Sequence, residues 1–420
     1  MDLLIIGGGP AGLSAAIRAK EDGIEDVCIL ERNTHMGGIL NQCIHHGFGL
    51  HIFKEELTGP EYAQRLVDRA LELDVKFALN TMVTDLDGSR VVTYVSPEGA
   101  KQVQAKAVIL GMGCRERTRG ALGIPGDRGR GVFSAGTAQA LVNMKGIMPG
   151  RSSQGSGSSA YRRVVILGSG DIGLIMARRM TLEGAKVIGV YELMPYSSGL
   201  KRNVAQCLDD YGIPLKLSHT ITRIVGRKWL EGVYVAPVDE ARMPVYSEEE
   251  FIPCDTLLLS VGLLPENELS KKAGVALSPV TGGAIVTNDL STNVPGIFSC
   301  GNVLHVHDLA DDVTMEAYRA GSAAADFIKS GGRMTKDKPV EVVPGTGVRY
   351  VSPNFILPDG QAELLFRSDG VYPNATVSVY DGDKLIKSRK KRIVIPAEME
   401  KIKIDTTGLA SCRVEVKSVS

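Results

Sequence analysis

A chain of 420 residues exceeds what one hydrophobic core usually serves, so we expect about three domains and enough interior to bury a cofactor. The 48 basic and 48 acidic residues balance to a formal net charge of zero, which provides no overall field to recruit nucleic acid or an anionic membrane surface. No apolar stretch approaches the roughly 18 residues of a membrane helix, and the first residues lack the basic flank of a signal peptide, so we expect a cytoplasmic protein without a membrane span.

The seven cysteines are scattered through the chain and include no CxxC pair. An odd number at irregular spacing argues against a disulfide scaffold and against a zinc ribbon. Histidines at 45, 46, 51, 305 and 307 raise the question of a metal site, but neither group has an established ligand spacing. We therefore predict no bound metal and interpret His305 and His307 as polar contacts.

The first thirty residues alternate as strand, glycine turn, helix and strand. The turn consists of Gly7, Gly9, Pro10, Ala11 and Gly12, with a further glycine at position 8. In this context Gly7 permits a tight turn, Gly9 lets backbone N–H groups approach a pyrophosphate, and Gly12 lets the helix pack closely on the strand. The second strand ends at Glu31, whose carboxylate suits ribose hydroxyls. The segment predicts a dinucleotide site, with a purely structural glycine turn as the alternative.

The same pattern returns in the middle of the chain. An apolar strand precedes a second turn, made by Gly168, Gly170, Asp171, Ile172 and Gly173. The following strand ends at Glu192, which follows Gly168 by the same 24 positions that separate Glu31 from Gly7. Since no arginine pair replaces this acid, the second turn favours NAD(H) over its 2′-phosphorylated form. A vestigial turn that no longer binds is the alternative.

Residues 1 to about 333 resemble the pyridine nucleotide-disulfide oxidoreductases in the arrangement of thioredoxin reductase, where the first turn binds FAD and the second binds NAD(P)H. The segments that carry the resemblance, besides the two turns, are 31–40, 107–113 and 296–302. The resemblance implies further cofactor contacts from Arg32, Gly38, Ile39, Leu40, Val83, Gly111, Gly113, Gly262, Gly301, Asn302, Asp312 and Val313. Asn302 replaces the usual aspartate, so its contact to the ribityl chain keeps an acceptor and loses a charge.

The sequence departs from this family where a redox-active disulfide is usual. Segment 131–138 resembles the redox segment of thioredoxin reductase, but Ala135 and Ala138 occupy the two cysteine positions. The resemblance therefore excludes disulfide reduction by that route, and no catalytic residue is assigned.

Three segments, 41–49, 113–117 and 301–308, carry a closer resemblance to flavoproteins of hydroxy-acid or glycerol-3-phosphate oxidation systems, and more distantly to the larger subunits of opine and amine dehydrogenases. This resemblance implies electron relay between a partner dehydrogenase, a small electron-transfer protein and NADH, in a homo- or hetero-oligomer.

We predict an α/β fold with two Rossmann-like domains and a C-terminal antiparallel β-sandwich. The FAD domain is expected to be discontinuous, at 1–117 and 263–333, with the NAD(H) domain inserted at 118–262 and a flexible Gly/Ser segment at 151–161. Alternating strands with turn signals at Pro373-Asn374 and Asp381-Gly382 predict the sandwich at 336–420. Its basic run 387–392 suits either a charged edge strand or the docking of an acidic partner.

The sequence favours hydride transfer between NAD(H) and FAD, with electrons passed to or from a partner protein or a small acceptor. A second hypothesis is an NADH oxidase or peroxidase in which Cys43 cycles through a sulfenic acid. A third is a non-catalytic subunit that holds FAD passively.

Overall fold

The computed structural model describes residues 1–150, 162–333, 338–358 and 360–418. It contains two compact units, Met1–Arg115 with Pro265–Ser420, and Glu116–Leu264. The chain passes between the units along two short strands, Cys114–Glu116 and Leu263–Pro265. The predicted flexible segment 151–161 lies outside the described residues, and the assignment of the two cofactor domains to 1–117 with 263–333 and to 118–262 remains a proposal.

A five-stranded parallel sheet forms the centre of the first unit. In spatial order its strands are Ile297–Ser299, Ala107–Leu110, Leu3–Ile6, Val27–Leu30 and Lys76–Ala78. The four residues of Leu3–Ile6 are all buried, as expected for a parallel strand covered on both faces. The helices of this unit are Pro10–Glu21, Gly59–Glu72, Glu268–Lys272 and Ala310–Lys329, with 3₁₀ turns at Gly38–Gln42 and Gly301–Val303.

Helices Pro10–Glu21 and Ala310–Lys329 pack against each other, although about 300 residues separate them in sequence. The close approach is fixed at Gly321, where an added Cβ would lie 2.4 Å from the carbonyl oxygen of Ala15. Buried hydroxyls then join the helices, because Ser14 Oγ and the Tyr62 hydroxyl both donate to Thr314 Oγ1. The late helix is therefore an integral part of the N-terminal fold.

Two small antiparallel sheets complete this part of the first unit. Their strands are Met82–Leu86, Val91–Ser96 and Gly99–Gln104 in one, and His46–Phe48 and Leu57–Thr58 in the other.

The second unit repeats the parallel architecture. Its main sheet has the spatial order Val132–Ser134, Thr256–Leu259, Arg163–Leu167, Lys186–Glu192 and Leu215–Leu217. An antiparallel sheet follows, made of His219–Val225, Gly232–Pro237 and Glu250–Pro253. The helices are Arg119–Leu122, Ala135–Lys145, Asp171–Leu182 and Lys201–Cys207, with 3₁₀ turns at Asp209–Tyr211 and Tyr246–Glu248.

The C-terminal region forms two packed sheets with a separate apolar core, and the predicted α/β fold with a C-terminal sandwich is confirmed. One sheet has the order Phe355–Ile356, Val340–Pro344, Cys412–Ser418, Tyr372–Asp381 and Lys384–Val394. The other contains Val348–Ser352, Gln361–Ser368 and Glu400–Asp405.

Two details of the sandwich differ from the prediction. Val340–Pro344 pairs with Cys412–Ser418 in parallel, so the first sheet is mixed. The predicted turn at Pro373-Asn374 is wrong, because both residues belong to the strand Tyr372–Asp381. Among the residues that the structure describes, Pro373 pairs only with Ile393, and proline is tolerated at strand positions where its missing N–H has no partner.

The basic run 387–392 closes one edge of the sandwich. Lys387 Nζ and the Arg389 guanidinium donate to the carbonyl oxygens of Lys403 and Lys401 in the facing sheet. Lys391 Nζ lies 2.7 Å from the buried carboxylate of Glu400. These three side chains satisfy polar groups at an open sheet edge, which is the structural alternative considered for this run.

Candidate functional site

Two positions of the first glycine turn can be occupied only by glycine. Gly7 has φ of 108°, and an added Cβ would lie 2.5 Å from the carbonyl oxygen of Gly111. At Gly12 an added Cβ would lie 1.9 Å from the carbonyl oxygen of Gly7, well inside van der Waals contact. The turn thus holds three predicted cofactor residues together at the carboxyl end of the central strand.

The helix that starts at this turn offers free donors. Its N-cap, Gly9, provides no side-chain cap, Pro10 occupies the first position, and no acidic residue lies in the first turn. An added Cβ on Gly9 meets no atom closer than Gly38 Cα at 3.9 Å, so the space in front of the helix is open. Unpaired N–H groups at the positive end of a helix dipole bind phosphates, and these residues therefore fit the pyrophosphate of a dinucleotide.

Glu31 closes the base of the turn. Its side chain is buried and accepts hydrogen bonds from the backbone N–H of Gly8 at 2.7 Å and of Asn33 at 2.8 Å. An ionised carboxylate has about four acceptor positions, so two remain for the ribose hydroxyls of a nucleotide.

Residues predicted from distant segments converge on the same turn. An added Cβ on Gly301 would meet Ala11 Cβ at 2.7 Å and Val313 Cγ1 at 3.3 Å, and one on Gly38 would meet Gly9 Cα at 2.8 Å. These close approaches gather residues from four segments of the first unit around the start of one helix.

The remaining predicted residues are less closely connected. Ile39 leaves 54% of its surface exposed beside the turn, whereas Leu40 is buried in the core. Val83 is buried in the antiparallel sheet Met82–Leu86, and Arg32 is exposed. Gly113 and Gly262 both have positive φ and lie at the ends of the crossing strands. The role of all these residues in cofactor binding stays a prediction.

The second turn has the same backbone but a different electrostatic environment. An added Cβ on Gly168 would lie 2.1 Å from the carbonyl oxygen of Ser260, and one on Gly173 would lie 2.7 Å from Ser260 Cβ. Its N-cap, Gly170, again provides no side-chain cap, but Ser260 Oγ accepts from Gly173 N at 3.0 Å, and Asp171 lies in the first turn. The Asp171 carboxylate accepts hydrogen bonds from Leu200 N at 2.8 Å and Asn203 Nδ2 at 2.6 Å.

Glu192 takes the place of Glu31 in this second site. It is buried and accepts from the N–H of Ser169 at 2.8 Å and the N–H of Met194 at 2.9 Å. The hydroxyls of Ser169 and Ser198 also donate to it, at 2.6 Å and 3.1 Å. Four donors occupy the carboxylate, so a ribose must displace a serine hydroxyl to bind it.

The C-terminal sandwich contacts the loop that follows Gly301. The Arg367 guanidinium donates to Asp308 and to the carbonyl oxygen of Val306, and Met399 N donates to Asp308 Oδ2 at 2.6 Å. Lys401 forms an ion pair with Asp312, a predicted cofactor residue in the first turn of Ala310–Lys329. The sandwich therefore holds the end of this loop and the start of the helix that follows it, a contact that the sequence did not reveal.

A buried cluster beside Gly301 was also missed. Glu316 Oε1 accepts from Gly301 N at 2.7 Å, and Glu316 Oε2 lies 3.0 Å from His305 Nε2 and 3.3 Å from His307 Nε2. His307 N donates to the side-chain oxygen of Asn302 at 3.0 Å. The signal in the sequence was a His-x-His pair followed by an acid on the buried face of the next helix.

The cysteine considered for a sulfenate cycle, Cys43, is not an activated thiol. No disulfide joins any of the seven cysteines, all of which lie in the described residues, and Ala135 and Ala138 at the redox-segment positions are fully buried. Burial raises the pKa of the Cys43 thiol to about 12, which disfavours the thiolate that a sulfenate cycle requires. In the described residues no helix is both long and apolar enough to cross a bilayer.

The two turns, each between a parallel strand and a helix, define a flavin-dependent pyridine nucleotide oxidoreductase. A family model described as pyridine nucleotide-disulphide oxidoreductase matches residues 1–324, and the chain belongs to that family. Its cofactors are accordingly FAD and NAD(P)H.

Known proteins of this family share part of their length with the chain. It is 26% identical over 296 residues to the HcnB subunit of hydrogen cyanide synthase of Pseudomonas protegens, covering 65% of this chain and 58% of the relative. It is 26% identical over 328 residues to an opine oxidase subunit of Agrobacterium tumefaciens, covering 72% and 61%. The chain thus spans about three fifths of the length of these relatives.

A solved structure, thioredoxin reductase of T. acidophilum, has the same fold with a TM-score of 0.61. The sequences are 24% identical, and the match covers 77% of this chain and 97% of the reductase.

Proposed function

We propose that the protein transfers hydride between NAD(H) and FAD, with FAD at the first turn and NAD(H) at the second. The observation that carries the proposal is the repetition of one site: an uncapped helix start beside a strand that ends in a buried carboxylate. Uncapped N–H groups hold the pyrophosphate of each nucleotide, and Glu31 and Glu192 accept from the ribose hydroxyls.

The nicotinamide and flavin rings supply the redox chemistry when both nucleotides are bound, and the protein supplies binding and orientation. Glu192 disfavours a 2′-phosphate, because two anions would then share a buried position. NADH is therefore proposed as the preferred nucleotide.

Rapid mixing of the flavin-loaded protein with NADH tests this proposal. The flavin absorption band is expected to bleach in the absence of oxygen, and to bleach more slowly with NADPH at equal concentration. A flavin that stays oxidised with NADH, yet is reduced by dithionite, contradicts hydride transfer and favours a subunit that holds FAD passively.

We further propose that the electrons pass to or from a partner protein or small acceptor, within a glycerol-3-phosphate or hydroxy-acid dehydrogenase system. Two observations support this step: no disulfide joins the seven cysteines, with alanines at the redox-segment positions, and the curated relatives include subunits of hydrogen cyanide synthase and opine oxidase.

Identification of proteins that copurify with the native chain, followed by assay of the complex with glycerol 3-phosphate and with 2-hydroxy acids, tests the proposed system. Flavin reduction by one of these substrates in the complex, but not in the isolated chain, is expected. Reduction in neither preparation contradicts this assignment and leaves the NADH reaction untouched.

A further inference from the structure

The cluster of Glu316, His305 and His307 is isolated from water. Each of the three side chains leaves at most 2% of its surface exposed. The two imidazole rings stack with centroids 4.1 Å apart and planes inclined by 29°. Three ionisable groups thus occupy one closed space, where the net charge depends on how many protons they share.

The cluster also retains unused proton-binding capacity. In the described part of the chain, His305 Nδ1 is buried without a hydrogen-bond partner, and His307 Nε2 lies near Glu316 Oε2 without the alignment of a hydrogen bond. Buried polar atoms are seldom left unpaired, and such an atom is frequently found where a group changes its protonation state.

The geometry is better suited to a proton than to a metal ion. The possible ligand atoms of His305, His307 and Glu316 lie within 4.8 Å of one another, which also fits a metal ion, but the two imidazole rings are stacked. In addition, His305 Nε2 and Glu316 Oε2 already form a direct hydrogen bond at 3.0 Å.

The electrostatic state of the cluster follows from its contacts. Burial opposes the ionisation of Glu316, but the two imidazoles outweigh it and hold the pKa of the carboxyl well below its usual range. Burial, with help from His307, lowers the pKa of His305. The carboxylate is therefore ionised, and mutual repulsion of the stacked rings restricts them to one added proton.

Other charged groups near the cluster do not compensate a change of its charge. Arg367 faces His305 from the C-terminal sandwich, but it is paired with Asp308. Cys300 faces Glu316 from the central sheet and Arg319 lies near Cys300, and burial raises the pKa of Cys300 well above its usual value. None of these neighbouring groups therefore takes up the proton that the cluster is proposed to bind.

Three direct contacts connect the cluster with predicted FAD-binding residues. Glu316 accepts from the backbone N–H of Gly301, His307 N donates to Asn302 Oδ1, and His307 Nδ1 lies 3.3 Å from the same oxygen. A change of charge at this position is therefore coupled to the electrostatics of the first turn through one layer of residues.

We propose that Glu316, His305 and His307 form a buried proton-binding site that takes up one proton when the bound flavin is reduced. The inference rests on FAD binding at the first turn, as in the proposed function. In the balanced step NADH gives up a hydride, the flavin accepts it and gains one negative charge, and a solvent proton binds to an imidazole nitrogen. The added proton raises the net charge of the cluster by one, which offsets the new charge on the flavin. The three residues act as positioning and charge-balancing groups, not as catalytic residues.

The test is the pH dependence of the flavin midpoint potential, measured by reductive titration of the FAD-loaded protein. One additional proton per two electrons changes the reduction equilibrium constant by a further factor of ten per pH unit, which adds about 30 mV per unit to the slope of the midpoint potential. The midpoint potential of the native protein is expected to change with pH more steeply than that of Glu316→Gln by this amount, because the amide cannot stabilise an imidazolium. His305→Gln is expected to behave like Glu316→Gln, and His219→Gln, in the second unit, like the native protein.

Histidine NMR of the native protein provides a second measurement that needs no variant to fold. Imidazole resonances of the cluster are expected to titrate at higher pH after dithionite reduction than in the oxidised protein. Equal slopes in the native protein and both cluster variants overturn the proposal, as do histidine titrations unchanged by reduction. Because dithionite replaces NADH, failure of NADH to bleach the flavin is a separate result that concerns only the proposed function.

Discussion

The two glycine turns share a backbone but differ in how many of their acceptors and donors are already used. At the first, Glu31 has two donors and the helix start carries no acid. At the second, Glu192 has four donors and Asp171 stands at the helix start. A site whose hydrogen-bonding groups are still unpaired suits a nucleotide that stays bound. A site whose groups are already paired within the protein suits a nucleotide that enters and leaves.

Alanine at equivalent glycines of the two turns is expected to have the largest effect on nucleotide binding. Gly9 and Gly170 have negative φ, and an added Cβ has no neighbour closer than 3.9 Å and 3.2 Å. Both variants should fold, but each methyl obstructs the approach of a pyrophosphate. Gly9→Ala is expected to bind FAD about tenfold or more weakly than the native protein. Gly170→Ala is expected to retain FAD and to raise the KM for NADH by a similar factor.

The flavin-to-protein absorbance ratio and NADH kinetics measure these effects, with thermal unfolding as the check on folding. Gly120→Ala, where an added Cβ has no neighbour closer than 3.8 Å, is the matched control. Loss of both cofactors in either variant would contradict independent sites.

A second feature of the first site is the attachment of the sandwich to the loop and helix that follow Gly301. Arg367→Leu leaves the partly buried Asp308 without its cation, which should destabilise the first unit by about 1–3 kcal/mol. Flavin release on heating, monitored by FAD fluorescence, is expected at lower temperature than in the native protein. The double variant Arg367→Leu/Asp308→Asn should recover most of the loss, and a double variant as unstable as the single one would argue against the ion pair.

Asp171→Asn sharpens the comparison by making the second helix start resemble the first. The amide oxygen keeps the contact to Leu200 N, while a negative charge beside the pyrophosphate disappears. Removal of a like charge at a helix N-terminus is worth about 0.3–1 kcal/mol, so NADH affinity should rise about two- to fivefold at low salt. Equilibrium titration checks this, and weaker binding would show that the carboxylate assists the nucleotide.

Cys43→Ser is expected to have the smallest effect. The thiol has its pKa raised to about 12 by burial, so its removal should leave NADH-dependent flavin reduction and any oxygen or peroxide turnover unchanged within a factor of about two. Near-complete loss of peroxide turnover would instead support the sulfenate hypothesis.

The sequence predicted the two turns because each is local. Strand, glycines, helix and terminal acid all lie within one short stretch, and their spacing reflects backbone geometry that no distant residue alters. The fold class and the family, which the comparisons confirm, follow from these two local patterns.

Features that depend on tertiary contacts were not predictable in the same way. Arg367 is 59 positions from Asp308, and no local pattern singles out either member of the pair. His305 and His307 were noted as a pair, but their common partner Glu316 reaches them only because the next helix turns back over the strand end. Pro373-Asn374 has the composition of a turn and lies in a strand, since pairing with a neighbour overrides local preference.

The order of strands in the first sheet has a consequence for synthesis on the ribosome. Its edge strand Ile297–Ser299 is made long after Leu3–Ile6, whereas the second unit is continuous from Glu116 to Leu264. The second unit can therefore complete its fold on the nascent chain, while the N-terminal strands wait for a segment translated later. Until Ile297–Ser299 is translated, the sheet of the nascent chain is incomplete, and it is the kind of surface that a chaperone shields.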